Sequence, residues 1–127
     1  MFSQEIHPHV VRASAIVTGS YVAGAIIGDI SEYNSVGLEI TITKGSLDSV
    51  QVKIEESQDG TNYFQQASES ASSGTISSSL AARTFTVNGS YAILINPVRA
   101  KFIKVSTKGT GTATSSLVAI KAYTSWA

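Results

Sequence analysis

Apolar side chains alternate with polar or small ones in two segments of the chain, residues 36–43 and 50–55. Side chains in a β-strand point to opposite faces in turn, so this period of two predicts two strands that each bury one face. The side chains predicted to face the core are Val36, Leu38, Ile40, Ile42, Val50, Val52 and Ile54. No window of the sequence sustains the 3.6-residue period of an amphipathic helix.

Further runs rich in β-branched and aromatic residues bring the total to about eight short strands, with turn signals between them. These runs cover residues 10–17, 21–27, 63–64, 84–87, 91–95, 102–107 and 117–123. Short strands in close succession, with no helix available for a crossover, are typical of antiparallel sheets packed face to face. We therefore predict an all-β fold with a single antiparallel β-sandwich.

Three stretches between these runs carry turn or loop signals. Asn88-Gly89 lies between two β-rich runs and predicts a two-residue hairpin turn that joins them. Residues 68–79 are rich in Ser and poor in apolar side chains, which predicts a loop. Residues 108–116 are rich in Gly, Thr and Ser and predict a second loop.

The first nine residues differ from the rest of the chain. Pro8 has no N–H and restricts His7 to extended geometry, so residues 1–9 are predicted to form an extended N-terminal arm. Residues 10–127 are then predicted to form the sandwich domain. The start of the chain carries neither the basic residues nor the apolar run of a secretory signal, so we expect no export by that route.

Charge and composition narrow the classes of function. Charged residues make up 14% of the chain, against about 25% in ordinary domains, and nine basic residues balance nine acidic ones. A neutral chain lacks the clustered basic face that nucleic-acid binding usually requires. No apolar run approaches the length of a membrane span, so a membrane partner is not expected. Weak charge also means weak self-repulsion, which favours a protein that works in an assembly.

Candidate chemistry is sparse. There is no cysteine, and the two histidines, His7 and His9, supply only half of the ligands that Zn²⁺ takes. No G-x-S-x-G elbow accompanies the many serines, and Glu55 and Glu56 point to opposite faces of a regular strand. Asp59 is interpreted as a turn aspartate that bonds its own backbone, with a Ca²⁺ ligand as the alternative. We therefore expect no enzyme and no cofactor.

Two stretches resemble known β-sandwich proteins. Residues 50–64 carry the pattern V-x-V-x-x-x-x-S-x-D-G-x-x-[WY], and residues 98–105, VRAKFIKV, are similar to the run P-x-R-A-R-Y-[IV]-R-V. Discoidin-type sandwiches contain a similar pair, as do small virion proteins of tailed bacteriophages. The resemblance spans residues 36–64 and 95–123 and implies a jelly-roll or discoidin-like sandwich. The chain is short and free of cysteine, which fits the phage proteins better than the longer, disulfide-bridged discoidin domains.

The phage resemblance implies a head decoration (cement) protein that binds the outside of the capsid and bridges capsomers. Such a protein is made in the host cytoplasm, resides on the capsid surface of the virion, contacts the major capsid protein and commonly forms homotrimers. Trp126, near the chain end, is expected either to contact a neighbouring subunit or to pack on its own sandwich. The residues expected to bind partners are Phe2, Ile6, His7, His9, Val10, Val11 and Trp126.

Two alternatives remain open at this point. One is a tail or fibre-associated module that binds a surface glycan or receptor through loops 59–64 and 109–115. The other is a tail-tube or head–tail joining protein, which would form rings.

Overall fold

The computed structural model describes residues 6–28, 35–65, 67–72, 74–80, 82–95, 100–111 and 116–125. Over these residues the chain is all-β, with antiparallel strands in two facing sheets and a separate hairpin. The prediction of an antiparallel β-sandwich is therefore confirmed. No helix long and apolar enough to cross a membrane occurs in this part of the chain.

Eleven strands are described, more than the eight or so expected, because several are only two or three residues long. They are β1 (Ile6–Ala15), β2 (Val22–Ala23), β3 (Ser35–Thr43), β4 (Ser49–Ser57), β5 (Phe64–Gln65), β6 (Ala67–Ser72), β7 (Thr75–Leu80), β8 (Arg83–Phe85), β9 (Gly89–Ile95), β10 (Phe102–Thr110) and β11 (Leu117–Ser125).

Two sheets form the sandwich. Sheet A has the order β1-β11-β3-β9, and sheet B has the order β2-β10-β4-β5, with β8 paired to the same strand as β5. The longest ladders run without a register shift between β10 and β4 and between β11 and β3. Strands adjacent in space are mostly distant in sequence, so the fold depends on non-local pairing.

The core lies between the inner faces of these sheets. Every apolar side chain predicted to face inward from β3 and β4 is at most 2% exposed, which confirms the alternation. Sheet A adds Val118, Ile120 and Ala122 from β11, and sheet B adds Ile103 and Val105 from β10. Burial of such side chains contributes about 1.5–3 kcal/mol each, before the conformational entropy they lose on folding is counted.

The predicted Asn88-Gly89 hairpin is wrong. β8 pairs with β4 in sheet B, whereas β9 pairs with β3 in sheet A, so residues 86–88 cross from one sheet to the other. The Asn88 side chain accepts the Lys44 N–H at 2.7 Å and thereby ties the crossing to the β3–β4 turn. Phe85 and Tyr91, with ring centroids 4.6 Å apart, close the sandwich beside it.

The predicted loop at residues 68–79 is also wrong. These residues lie in a hairpin in which β6 and β7 pair from Ala67↔Leu80 to Ser72↔Thr75. Gly74, with φ of 79°, lies in its turn, where a residue without Cβ adopts the left-handed region at no steric cost. The ladder satisfies the backbone groups that a Ser-rich loop would expose to water. Likewise, β10 continues to Thr110 and takes the first residues of the loop predicted at 108–116.

The boundary predicted between arm and sandwich lies inside β1. Residues 6–9 pair with β11, from Ile6↔Ser125 to His9↔Ala122, and residues 1–5 are outside the described part of the chain. A proline in a strand is tolerated at a sheet edge, where a missing N–H breaks no ladder bond. β1 is such an edge strand, so it can begin at Ile6 and include Pro8.

Candidate functional site

The turn after β4 is held by one carboxylate. Asp59 Oδ1 accepts the N–H groups of Thr61 and Asn62, each at 2.8 Å, and Asp59 Oδ2 accepts the Asn62 side-chain amide, also at 2.8 Å. The Ser57 hydroxyl donates to Asp59 Oδ1 at 3.0 Å and accepts the Gly60 N–H at 2.9 Å. This is the backbone-bonding role that the sequence indicated for Asp59.

These hydrogen bonds hold the pKa of Asp59 well below its ordinary range. The largest cause is the Asn62 N–H, followed by the Thr61 N–H and the side chains of Asn62 and Ser57. All of these donors stabilise the charged form of the carboxylate. Asp59 therefore stays charged to a lower pH than an ordinary aspartate, and its hydrogen bonds hold the turn.

Beside this turn lies a surface depression of about 480 Å³, which we call the Asp59 corner. Its lining residues are Glu56, Ser57, Gln58, Asp59, Asn62, Phe64 and Gln65. The Phe64 ring is 72% exposed, the highest fraction among the large apolar side chains of the described residues. An exposed ring next to amide and carboxylate groups can stack on an apolar ligand face and hydrogen-bond its polar edge.

The outer face of sheet B carries a lysine cluster packed on tyrosine rings. The ammonium groups of Lys53 and Lys108 lie 4.5 and 4.8 Å from the centre of the Tyr21 ring, and that of Lys104 lies 4.0 Å from the centre of the Tyr63 ring. Cation–π contacts of this kind are worth about 0.5–1 kcal/mol at exposed sites. Sequence reasoning missed this cluster because its members come from three separate segments. The signal available in the sequence was the even spacing of Lys104 and Lys108, which places both side chains on the same face of β10.

The residues predicted to bind partners lie in different places. Phe2 and Trp126 are outside the described residues, while Ile6 and His7 lie in β1, without a described side chain. His9 is exposed, and its Nε2 lies 3.4 Å from the Thr124 hydroxyl.

Val10 and Val11, both predicted to bind a partner, differ in their exposure to solvent. Val10 is 63% exposed on β1, whereas Val11 is 3% exposed and belongs to the core. Neighbouring side chains of a strand point to opposite faces, so Val11 points to the core when Val10 points to solvent. Val11 therefore stabilises the sandwich and does not lie on a surface that a partner contacts. Ile16, also 63% exposed, was not selected from the sequence and lies just beyond the same strand.

In the part of the chain that the structure covers, no three His, Asp or Glu side chains come together as a possible metal site. The main surface features of the described residues are the hydrogen-bonded turn beside the exposed Phe64 ring, and the exposed aliphatic side chains Val10 on β1 and Ile16 just beyond it.

Comparison with solved structures shows a similarity of fold, whereas comparison of sequences does not. No family model matches the sequence, and no curated protein matches it either. Among solved structures, the chain is similar to the SPBc2 prophage-derived protein YomS, with a TM-score of 0.60 and 11% sequence identity. The alignment covers 98% of this chain and 96% of that chain. The two proteins therefore share a fold over nearly their whole lengths.

Proposed function

We propose that this chain is a structural protein of a bacteriophage particle, and more narrowly a head decoration protein that binds the outer surface of the capsid. The observation that carries the proposal is the whole-length similarity of its fold to a prophage-derived protein. The pattern at residues 50–64, which resembles small virion proteins of tailed bacteriophages, is consistent with the proposal, and its Ser57, Asp59 and Gly60 form the hydrogen-bonded turn described above.

The surface available for capsid binding is the exposed side of β1. Val10 and Ile16 are each 63% exposed, and the strand between them lies at the edge of sheet A. Aliphatic side chains at an edge bury apolar area when a partner covers them. A decoration protein that bridges capsomers needs contacts of roughly 1,000–2,000 Å², and it stabilises the shell because it binds only the assembled form.

The first test is whether the protein is part of the particle. Particles are purified from the phage, or from the induced prophage, whose genome carries this gene, and their proteins are quantified by mass spectrometry. A decoration protein is expected at a copy number comparable to that of the capsid subunits and on DNA-filled heads without tails. Its absence from purified particles would refute the proposal, and a fixed six or twelve copies would favour a ring protein.

The second test uses point variants. Deletion of residues 1–9 would remove residues 6–9 from the β1–β11 ladder and confuse loss of folding with loss of binding. Val10→Ser and Ile16→Ser change exposed side chains and leave that ladder intact. We expect each variant to bind heads more weakly and to raise shell heat resistance less. Val87→Ser, at a position 64% exposed on the β8–β9 crossing, is the matched control.

A second candidate function is favoured by the Asp59 corner. Its exposed Phe64 ring and its amide and carboxylate side chains are the groups that recognise a sugar, whose apolar face stacks on a ring while its hydroxyls bond to polar groups. A glycan array probed with the wild type and with Phe64→Ala tests this function. Binding that Phe64→Ala removes would support a receptor-binding module, and an array without hits would refute it.

A further inference from the structure

The two edges of sheet A differ in how they meet an additional strand. β1 forms one edge and is protected: Pro8 lacks an N–H, and the ladder shifts register twice, between Val10 and Arg12 and between Arg12 and Ala15. The Arg12 guanidinium also donates to the carbonyl oxygens of Ala15 at 3.2 Å and Ile16 at 2.8 Å. Prolines, bulges and charged side chains are the devices by which proteins prevent strand addition.

β9 forms the other edge and has none of these devices. It carries no proline and no charged side chain, and it pairs with β3 from Val36↔Ile95 to Ile42↔Gly89 without a register shift. Within the described residues, no other strand pairs with it. A regular, uncharged edge of seven residues leaves a row of backbone donors and acceptors available for another strand.

We propose that β9 pairs antiparallel with β9 of a second copy of this chain, about a two-fold axis at Ala92, so that two sheets A join into one. A self-pairing strand meets its own sequence, and a strand without charge brings no like-charge contact across the axis. Such a pairing is isologous, since the same residues contribute from both copies.

The side chains fit this register on both faces. Ala92 would lie opposite Ala92 of the second copy, and Ser90 opposite Leu94, on the outer face where all three side chains are exposed. On the inner face Tyr91 would lie opposite Ile93, and aromatic–β-branched pairs across strands stabilise a sheet. The 66% exposed Leu94 side chain would lose water contact, which a monomer cannot achieve.

The test places a charge on the axis. Ala92→Lys would set two lysines directly opposite each other in the pair, while in each monomer the new lysine faces Glu39 of β3. Sedimentation velocity and native mass spectrometry should show a dimer for the wild type and an Ala92→Lys dimer that is weaker by up to about fivefold. Ala92→Glu is expected to weaken the dimer in the same way. An equimolar mixture of the two variants should recover dimers that contain one copy of each.

Ala13→Lys is the matched control, because Ala13 is an exposed alanine on the protected edge strand β1. It should leave the dimer unchanged, and thermal unfolding checks that all variants are folded. A wild-type monomer, an Ala92→Lys dimer as tight as the wild type, or no mixed dimers would each overturn the proposal. So would the three-fold assembly that the phage resemblance implied. The result is independent of capsid binding, because it is measured on the isolated protein.

Discussion

Gly24→Ala tests the hydrogen bonds by which residues 24 and 25 connect the two sheets of the sandwich. The segment that contains Gly24 bonds to both sheets: the Gly24 N–H donates to the Val105 carbonyl of β10 at 2.9 Å, and the Ala25 N–H donates to the Val11 carbonyl of β1 at 2.7 Å. Two adjacent residues therefore connect sheet B to sheet A. A side chain at Gly24 would strain both connections.

The size of the effect follows from the geometry. A Cβ at Gly24 would lie 2.5 Å from the Val11 carbonyl oxygen and 2.9 Å from Val11 Cγ1. The carbonyl cannot turn away, because it accepts the Ala25 N–H and its residue is 3% exposed. Overpacking costs about 1–3 kcal/mol, and a lost hydrogen bond adds about 0.5–1.5 kcal/mol. We expect Gly24→Ala to lower the free energy of unfolding by about 2–4 kcal/mol.

Calorimetry gives the readout, with Gly37→Ala as the matched control. At about 4 °C per kcal/mol for a domain of this size, Gly24→Ala should lower Tm by about 8–16 °C. A Cβ at Gly37 meets nothing within 4 Å, and glycine in a strand costs conformational entropy, so Gly37→Ala should keep or slightly raise Tm. Equal melting temperatures for the two variants would refute the proposed connection of the sheets through residues 24 and 25.

Three further predictions concern stability. Asp59→Asn should lower Tm at neutral pH. Because the pKa of Asp59 is lower in the folded chain, the difference from wild type should be full above about pH 4 and shrink as pH falls towards the folded value; a difference that grows in acid would contradict this sign. Ile120→Ala, at 1% exposure, should cost about 2–5 kcal/mol in urea unfolding, whereas Val87→Ala should stay within about 0.5 kcal/mol, and similar costs would argue against the assigned core. Arg12→Ala removes the donor to three backbone carbonyls and should cost about 1–2 kcal/mol by the same assay, an expectation that unchanged stability would disprove.

The turn of the candidate site could be predicted from the sequence, whereas the surfaces around it could not. The turn at Asp59 was predicted because Asp and Gly act on their own local backbone. The exposed ring of Phe64 and the burial of Val11 were not, since each depends on what packs beside the strand. The lysine cluster was not predicted because Tyr21, Lys53 and Lys108 meet only when β4, β10 and the residue before β2 are placed side by side.

The pattern of residues was enough to predict the fold class and the inward faces of β3 and β4. Alternation has the same period as the strand, so residues such as Ile40 and Val52 could be assigned to the core without knowledge of their partners. Which strands pair could not be predicted in this way and is known from the folded chain. Asn88-Gly89 permits a tight hairpin, but Phe85 pairs with Val50 while Tyr91 pairs with Ile40, and the chain crosses between sheets instead. Strand pairing depends on how much apolar surface is buried between residues that are far apart in the sequence. A short window of residues cannot predict that burial.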